Sequence, residues 1–275
     1  MPDTAPVDDG SGSPGDGAGL DTSVANVARV YDYLLGGKDN YEADREAAVR
    51  AMAVFPGIAA TVRANRAFLG RAVRYLAGEA GIRQFLDIGP GLPTSGSTHE
   101  IAQSIAPECR IVYVDNDPVV IAHARALLTS SPEGETAYLR ADLRETGKIL
   151  AAAGQTLDFT QPVAIMLVAV LHFIPGAEAY EIAAKLAAAT AAGSFLTISH
   201  VAKDIEAETM GEVIGQANQL VDQQTTPRTR DEVTRFFEGL DLVGPGVVAL
   251  DEWRPDSELT AATRAAGWCG VAGRR

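Results

Sequence analysis

The run Phe85-Leu86-Asp87-Ile88-Gly89-Pro90-Gly91 is a short apolar strand that ends in an Asp-x-Gly-x-Gly turn. Glycine suits both turn positions, because a Cβ there would oppose positive-φ dihedrals and keep a ligand away from the backbone. In open parallel α/β sheets, ligands gather outside the carboxyl ends of the strands, where the strand order reverses. A Gly-x-Gly turn also occurs in ordinary loops, so its surroundings decide what it means.

Downstream of this run, strand-like and helix-like stretches alternate. Ser97-Thr98-His99-Glu100 has the S-x-x-E form of a capping box, which opens a helix. A second strand is predicted over residues 110–114, ending at Asp115, and Pro118 suits the first turn of a helix reaching about residue 128. A third strand over 136–140 leads to Asp142 and a helix over 146–153. Residues 163–170 form a fully apolar strand, as at the centre of a parallel sheet. A helix over 177–191 precedes a fifth strand over 194–199. This alternation predicts a doubly wound α/β sheet with helices on both faces. Beyond it are expected a helix over 203–224 and a second capping box, Thr229-Arg230-Asp231-Glu232, opening a helix to Phe237. Strands near 240–243 and 247–250 and a final edge strand at 267–271 complete the pattern.

Upstream, Val24, Val27, Tyr31, Leu34 and Leu35 fall at helical spacing after a cap at Ser23, until Gly36-Gly37 stops the helix. Further helices are predicted at 42–53 and 58–76. Residues 1–20 are rich in Pro, Gly, Ser and Asp and almost bare of bulky apolar side chains, so disorder is expected there. The predicted organisation is a disordered tail (1–20), a helical cap or lid (21–80) and a Rossmann-like domain (81–275).

The 275 residues carry 23 Lys and Arg against 36 Asp and Glu, a formal net charge of −13. Nucleic acid is disfavoured as a partner, since phosphate contacts need clustered cations. Cys109 and Cys269 are the two cysteines and form no CxxC pair, which argues against a disulfide framework or a metal site. The longest apolar run, residues 162–174, is short of the roughly 20 residues that span a bilayer. With no secretory leader visible, a cytoplasmic location and no membrane partner are expected. The oligomeric state stays open, a homodimer included.

Val112-Tyr113-Val114-Asp115-Asn116-Asp117-Pro118 supplies the second chemical element. An acidic residue at the end of the second strand, about 20 residues beyond the glycines, can accept hydrogen bonds from ribose hydroxyls. The same Asp115 could instead form an Asx turn that leads into the next helix. Asp142, past the third strand, could accept from an adenine amino group or cap a helix. The dinucleotide pattern G-x-G-x-x-G fails here, because Leu92-Pro93-Thr94 follows Gly91 and the third glycine is missing. The triphosphate pattern fails as well: Gly91 to Gly96 has its spacing, but Ser97 stands where lysine is needed. A ligand without phosphate fits better. S-adenosylmethionine has adenine, ribose and a cationic sulfonium, which the carboxylates Asp87, Asp115 and Asp142 would tolerate.

The run Ala28-Arg29-Val30-Tyr31-Asp32-Tyr33-Leu34-Leu35-Gly36-Gly37-Lys38-Asp39-Asn40-Tyr41 resembles the signature of an actinobacterial S-adenosylmethionine-dependent methyltransferase family, long catalogued as a domain of unknown function. Arg63-x-Asn65-Arg66-x-Phe68-Leu69, the glycine run through Thr94, Thr98-His99-Glu100, the run from Val114 to Val120 and Trp253-Arg254-Pro255 match in order. The resemblance covers about residues 22–275. It implies a class I methyltransferase fold, a seven-stranded sheet whose last strand is antiparallel, with S-adenosyl-L-methionine as cofactor. It names no acceptor. Pro93 departs from the broader class I pattern, which often has a small residue there.

On that resemblance, Asp87, Gly89, Gly91 and Thr94 surround the methionine end of the cofactor. Asp115 binds the ribose, with Asn116 and Asp117 beside the adenine. Asp142 and Leu143 border the adenine, and Ala169, Val170 and Leu171 pass under the sulfonium. Methyl transfer needs an aligned, desolvated nucleophile, and a general base only where the acceptor holds its proton tightly. His172, past the fourth strand, is the first candidate base and His200, ending the fifth, the second. A packed histidine bonded to backbone is the alternative for each. The segment from Tyr31 to Tyr41 is expected to fold over the cofactor as a lid, with Tyr33 and Lys38 to Tyr41 facing the site; a plain inter-helix turn is the alternative. Arg63 and Arg66 could meet the methionine carboxylate, or simply lie on the surface. The expected function is methyl transfer to a small-molecule acceptor. A non-catalytic S-adenosylmethionine-binding sensor or partner-binding module is the second reading, and an NAD-dependent oxidoreductase the third.

Overall fold

The computed structural model describes residues 22–205, 214–215, 218–219, 223–256 and 265–275. The expected disordered tail lies outside the described residues, as does most of the helix expected over 203–224. Residues 203–205 form a bend.

Three helices come first: α1 (Val27–Leu35), α2 (Glu42–Val54) and α3 (Ile58–Arg74), the last running on into a wider turn at Tyr75–Glu79. The cap of α1 is Asn26, whose side chain accepts from the backbone N–H of Ala28 and Arg29, not Ser23. Strands and helices then alternate as β1 (Gln84–Ile88), α4 (Thr98–Ile105), β2 (Arg110–Asp115), α5 (Pro118–Leu127), β3 (Glu135–Arg140), α6 (Thr146–Ala153), β4 (Ala164–Val168), α7 (Glu178–Ala188) and β5 (Phe195–Val201). Both capping boxes form, at Ser97 for α4 and at Thr229 for α8 (Arg230–Thr234). The described chain closes with β6 (Asp241–Leu242), β7 (Val248–Ala249) and β8 (Gly267–Gly273).

The sheet runs in the order β3-β2-β1-β4-β5-β8-β6, with β7 also on β8. β1 to β5 are parallel, and β8 is antiparallel to β5. β6 and β7 both pair with β8, so they act as two halves of one outer strand interrupted at Gly244-Pro245-Gly246. This is the seven-position sheet of a class I methyltransferase fold. β8 is therefore interior, not the edge strand that its sequence suggests. A short run of small and apolar residues reads the same in either place until its neighbours are known.

Side chains alternate across each strand. Leu86, Ile88, Val112, Val114, Ile165 and Leu167 pack with α6, α7 and the residues following α8 on one face. Phe85, Ile111, Tyr113, Ala164 and Met166 pack with α3 and α4 on the other. β4 stops sooner than its apolar run, because Ala169 turns to φ 56, its N–H held by the Ser199 hydroxyl at 2.9 Å. No single helix among the described residues is long and apolar enough to cross a membrane.

Candidate functional site

Because β1 to β5 are parallel, their carboxyl ends share one rim, and the strand order reverses between β1 and β4. A cavity of about 580 Å³ opens on that rim. Its floor is built from residues 89–91 after β1, 115–117 after β2, 142–144 after β3 and 168–170 after β4. The helices α1 to α3 roof it.

Gly89 and Gly91 take φ of 74° and 68°. A Cβ on Gly89 would lie 2.5 Å from Cγ2 of Val170, so the β1 turn and the β4 exit pack against each other without room for a side chain. Gly89→Ala is expected to lower stability by about 1–2 kcal/mol, from left-handed strain plus this clash, and denaturant unfolding would measure it. The N–H of Gly91 points at Asp115 Oδ2, 3.4 Å away.

Asp87 faces the α3–α4 side of the sheet, 5% exposed, and accepts a 2.6 Å hydrogen bond from Thr98, the first residue of α4. Burial pushes its pKa from the ordinary 3.8 up to about 6, although the Thr98 hydroxyl and the nearby Arg66 charge pull it down. Burial likewise raises Asp115 to about 6, against hydrogen bonds from the N–H of Asp117 and Gly91. Two buried carboxylates facing a cavity, with Arg66 the nearby cation and only partly offsetting the burial of Asp87, suit a ligand that brings hydroxyl donors and positive charge.

The folded pKa of Asp87 exceeds that of an unfolded aspartate, so the native state binds the extra proton between about pH 4 and 6. Stability therefore falls as pH rises through that window, and the cost is complete above pH 6. Asp87→Asn is expected to be more stable than the parent at pH 7 by up to about 3 kcal/mol and equal to it below pH 4. Thermal unfolding of both proteins across pH checks this, and a pH-independent difference would contradict it.

The other acidic candidates are partly engaged. Asp117 caps α5 through the N–H of Val119 at 2.7 Å and receives Asn26 Nδ2 at 3.1 Å, so the start of α1 is tied to the β2 exit. Asn116 lines the cavity beside it. Asp142 accepts from the N–H of Arg144 at 2.8 Å and pairs with its guanidinium at 3.3 Å, on the rim. Leu143 lines the cavity, buried. Ala169 and Val170 line it too, whereas Leu171 is buried beneath, its carbonyl accepting from Arg228. Thr94 sits in a small recess behind the glycine turn, where its carbonyl accepts from Arg66 at 3.0 Å.

Helical periodicity sorts the cap residues. On α3, Ile58, Val62, Asn65, Arg66 and Leu69 face the cavity, while Arg63 lies on the opposite side and is exposed. On α1, Val27, Tyr31 and Leu34 face it, and Tyr33 points into a small cluster with Leu34, Ala48 and Val62 instead. Tyr33 and residues 38–41 are thus absent from the cavity lining. The signature run is largely scaffolding. The Asp32 carboxylate accepts from the N–H of Asp39 at 3.0 Å and from Asn40 Nδ2 at 2.9 Å. A Cβ on Gly37 would overlap that carboxylate. Buried Asp44 accepts from the N–H of Asn26 and Tyr41 and pairs with Arg29 at 2.7 Å. Tyr31 belongs to a second network: Asn65 Nδ2 donates to its hydroxyl at 2.8 Å, and the Ser199 hydroxyl donates to Asn65 Oδ1 at 2.5 Å.

The two candidate bases differ. Arg228 donates to His200 Nε2 at 2.7 Å, and His200 Nδ1 contacts the Val201 carbonyl at 2.9 Å, so both ring nitrogens are occupied. Burial, together with the Arg228 charge, holds His200 neutral, its pKa down to about 3. No lone pair is left there for a substrate proton. His172 also lines the cavity and is kept neutral by burial, but its Nδ1 has no partner. Sequence reasoning missed Asn26, Tyr31, Asn65 and Arg228 as functional residues. Asn26 was legible as a cap of the right type. Arg228, 4% exposed and holding the carbonyls of Leu171, Ile174 and Gly176, left no local signal.

A family model described as S-adenosyl methyltransferase matches residues 15–275. Among solved structures, a DUF574 family protein from Streptomyces avermitilis is 43% identical, with a TM-score of 0.89 over 93% of this chain and 99% of its own. A putative methyltransferase from Thermobifida fusca is 39% identical, with a TM-score of 0.87 over 96% and 100%. A SAM-dependent methyltransferase from Archaeoglobus fulgidus shares the fold alone, at 13% identity and a TM-score of 0.51 over 76% and 92%. None of the curated proteins matches the chain.

Proposed function

The chain belongs to the S-adenosyl methyltransferase family, and from that premise we propose that it methylates a small molecule held in the roofed cavity. It is an S-adenosylmethionine-dependent enzyme. The single observation that carries the small-molecule reading is the cavity itself. One continuous cleft joins the glycine turn and the Asp115 carboxylate to a chamber under α1 to α3. Its volume falls within the roughly 300–1,000 Å³ of pockets that bury small ligands.

Bound S-adenosylmethionine supplies an electrophilic methyl group on a sulfonium sulfur. In this reading Asp115 receives the ribose hydroxyls, Asn116, Asp117, Asp142 and Leu143 border the adenine, and Asp87, Gly89, Gly91 and Arg66 hold the methionine end, with Thr94 steadying the loop through Arg66. Ala169 and Val170 form the floor where the acceptor must approach. The helices roofing the cavity keep water from the nucleophile and align it. His172, neutral and lacking an internal partner for Nδ1, is the candidate base and accepts a hydrogen bond from the acceptor as its proton leaves. Residues 21–80 serve as the cap over a cofactor-binding unit of residues 81–275. The buried, unpaired thiols of Cys109 and Cys269 support a cytoplasmic setting, and the organisms of the two similar proteins support an actinobacterial source.

Calorimetry tests the binding half of the proposal. S-adenosylmethionine and S-adenosylhomocysteine are expected to bind at one site per chain and NAD not at all. Binding of NAD alone would overturn it. Incubation with methyl-labelled cofactor and a whole-cell extract from an actinobacterium tests the rest. Label is expected in a low-mass product, and label appearing in protein or nucleic acid instead would contradict the small-molecule reading.

A further inference from the structure

The charged groups on the cavity wall are divided by strand. Its carboxylates, Asp87, Asp115, Asp117 and Asp142, all come from the exits of β1, β2 and β3. The half over β4 and β5 carries no carboxylate among its described residues: apolar Val30, Leu34, Phe55, Ile58, Phe173 and Ile174 line it beside the uncharged polar side chains of Asn65, Ser199 and residues 223–225. Helix α1 spans the two halves. Its cap Asn26 reaches Asp117 at the β2 exit, and Tyr31, further along, reaches Ser199 of β5 through Asn65. Among the described lining residues of α1 to α3, Arg66 is the one charged side chain, and it is fastened to the carbonyls of Thr94 and Ser95 beside the glycine turn.

Two further features act on whatever occupies the apolar half. His172 stands there with hydrogen-bonding capacity that the protein does not use, which is uncommon for a buried polar group. Behind it, Arg228 is a buried cation whose guanidinium contacts carbonyls and His200 but, among the described residues, no carboxylate. Glu232 is near enough for Arg228 to lower its pKa, so the guanidinium is partly compensated, and the field that remains disfavours a cationic ligand beside His172.

Resting on the function proposed above, we infer that the methyl acceptor is an uncharged, largely apolar small molecule whose reacting end is a hydroxyl directed at His172. A carboxylate would have to leave water for an apolar wall, and an ammonium would meet the Arg228 field as well. A hydroxyl enters neutral and can exchange a hydrogen bond with the imidazole. Transfer forms the oxygen–carbon bond as the carbon–sulfur bond breaks with its electron pair left on sulfur, and the hydroxyl proton, hydrogen-bonded to the neutral His172 ring, is lost to water, so that no lasting imidazolium forms beside Arg228.

The test uses full-length protein saturated with S-adenosylhomocysteine, titrated by fluorescence with four probes of one shape: 2-naphthol, 2-methoxynaphthalene, 2-naphthoate and 2-naphthylmethylammonium. The expected result is that 2-naphthol binds at least about tenfold more tightly than either ion and several-fold more tightly than its methyl ether. His172→Leu, with folding checked by retained S-adenosylhomocysteine binding, is expected to erase the preference for the hydroxyl over the ether and to keep the discrimination against ions. Equal or tighter binding of an ion, or no 2-naphthol binding to the loaded protein, would overturn the inference and leave cofactor binding standing. Failure of S-adenosylhomocysteine itself to bind would remove the underlying reading, and the inference with it.

Discussion

Asp115→Ala is expected to weaken S-adenosylhomocysteine binding on the order of 100-fold. The carboxylate sits at the β2 exit, its Oδ1 taken by the N–H of Asp117 at 2.9 Å and its Oδ2 held only loosely by Gly91 at 3.4 Å. A ribose hydroxyl can improve on that loose contact. Hydrogen bonds to a charged group contribute roughly 1.5–3 kcal/mol each, and about 2.7 kcal/mol corresponds to 100-fold. Truncation also relieves the burial that lifts the pKa of Asp115 to about 6, so the ligand-free variant is not expected to be less stable than the parent. Loss of affinity without loss of stability separates a binding role from a structural one. The parent should further bind less tightly as pH falls below about 6, because protonating Asp115 removes an acceptor, and the variant should lose that part of the dependence. Calorimetry at pH 5 and pH 7.5 reads both effects. A dissociation constant within threefold of the parent's would remove Asp115 from the ribose site.

Trp253→Ala carries the largest expected stability loss, about 3–5 kcal/mol, as for other large aromatic truncations in cores. The indole is fully buried and meets Phe68 and Tyr75 edge-on, with ring centroids 5.5 and 5.9 Å away. Its backbone carbonyl accepts from Arg71 Nε at 2.8 Å, and the same guanidinium reaches the Leu250 carbonyl at 2.6 Å. Arg254 lies over the Tyr75 ring at 4.1 Å. The Trp-Arg-Pro motif thus pins the segment after β7 to α3, and so fixes the helix that carries Asn65 and Arg66. Trp253 does not line the cavity, so cofactor affinity well below the melting temperature should change little. Urea unfolding measures the loss, and a value under about 1 kcal/mol would show that the surrounding rings collapse into the space.

Much of the cofactor half was legible in local pattern. The span of β1 and the Asp115 end of β2 follow from apolar runs cut off by Asp and Gly, and the helix starts at Ser97 and Thr229 from their capping boxes. The acceptor half was legible in composition but not in geometry. Tyr31 and Tyr33 differ by about 200° around a helix of 3.6 residues per turn, and nothing in the run says which side faces the cavity. The start of α1 decides it, because the Asn26 cap is fixed by Asp44 and Asp117 from elsewhere in the chain. His172 and His200 looked equivalent, each following an apolar strand, until Arg228 came to rest on one of them.

Alternating apolar stretches, glycines at a strand end and acidic residues past the next strands were enough, by themselves, to determine a parallel α/β sheet and to point to its rim as the place of the proposed adenosyl site. These are contacts of a residue with its own strand or turn, and short-range sterics enforce them wherever the segment lies. The tertiary structure alone decided that β8 is interior, that Tyr31 and not Tyr33 reaches the cavity, and that His200 is occupied while His172 is free. Each depends on groups distant along the chain, and their meeting is set by packing of the whole core, which no local pattern encodes.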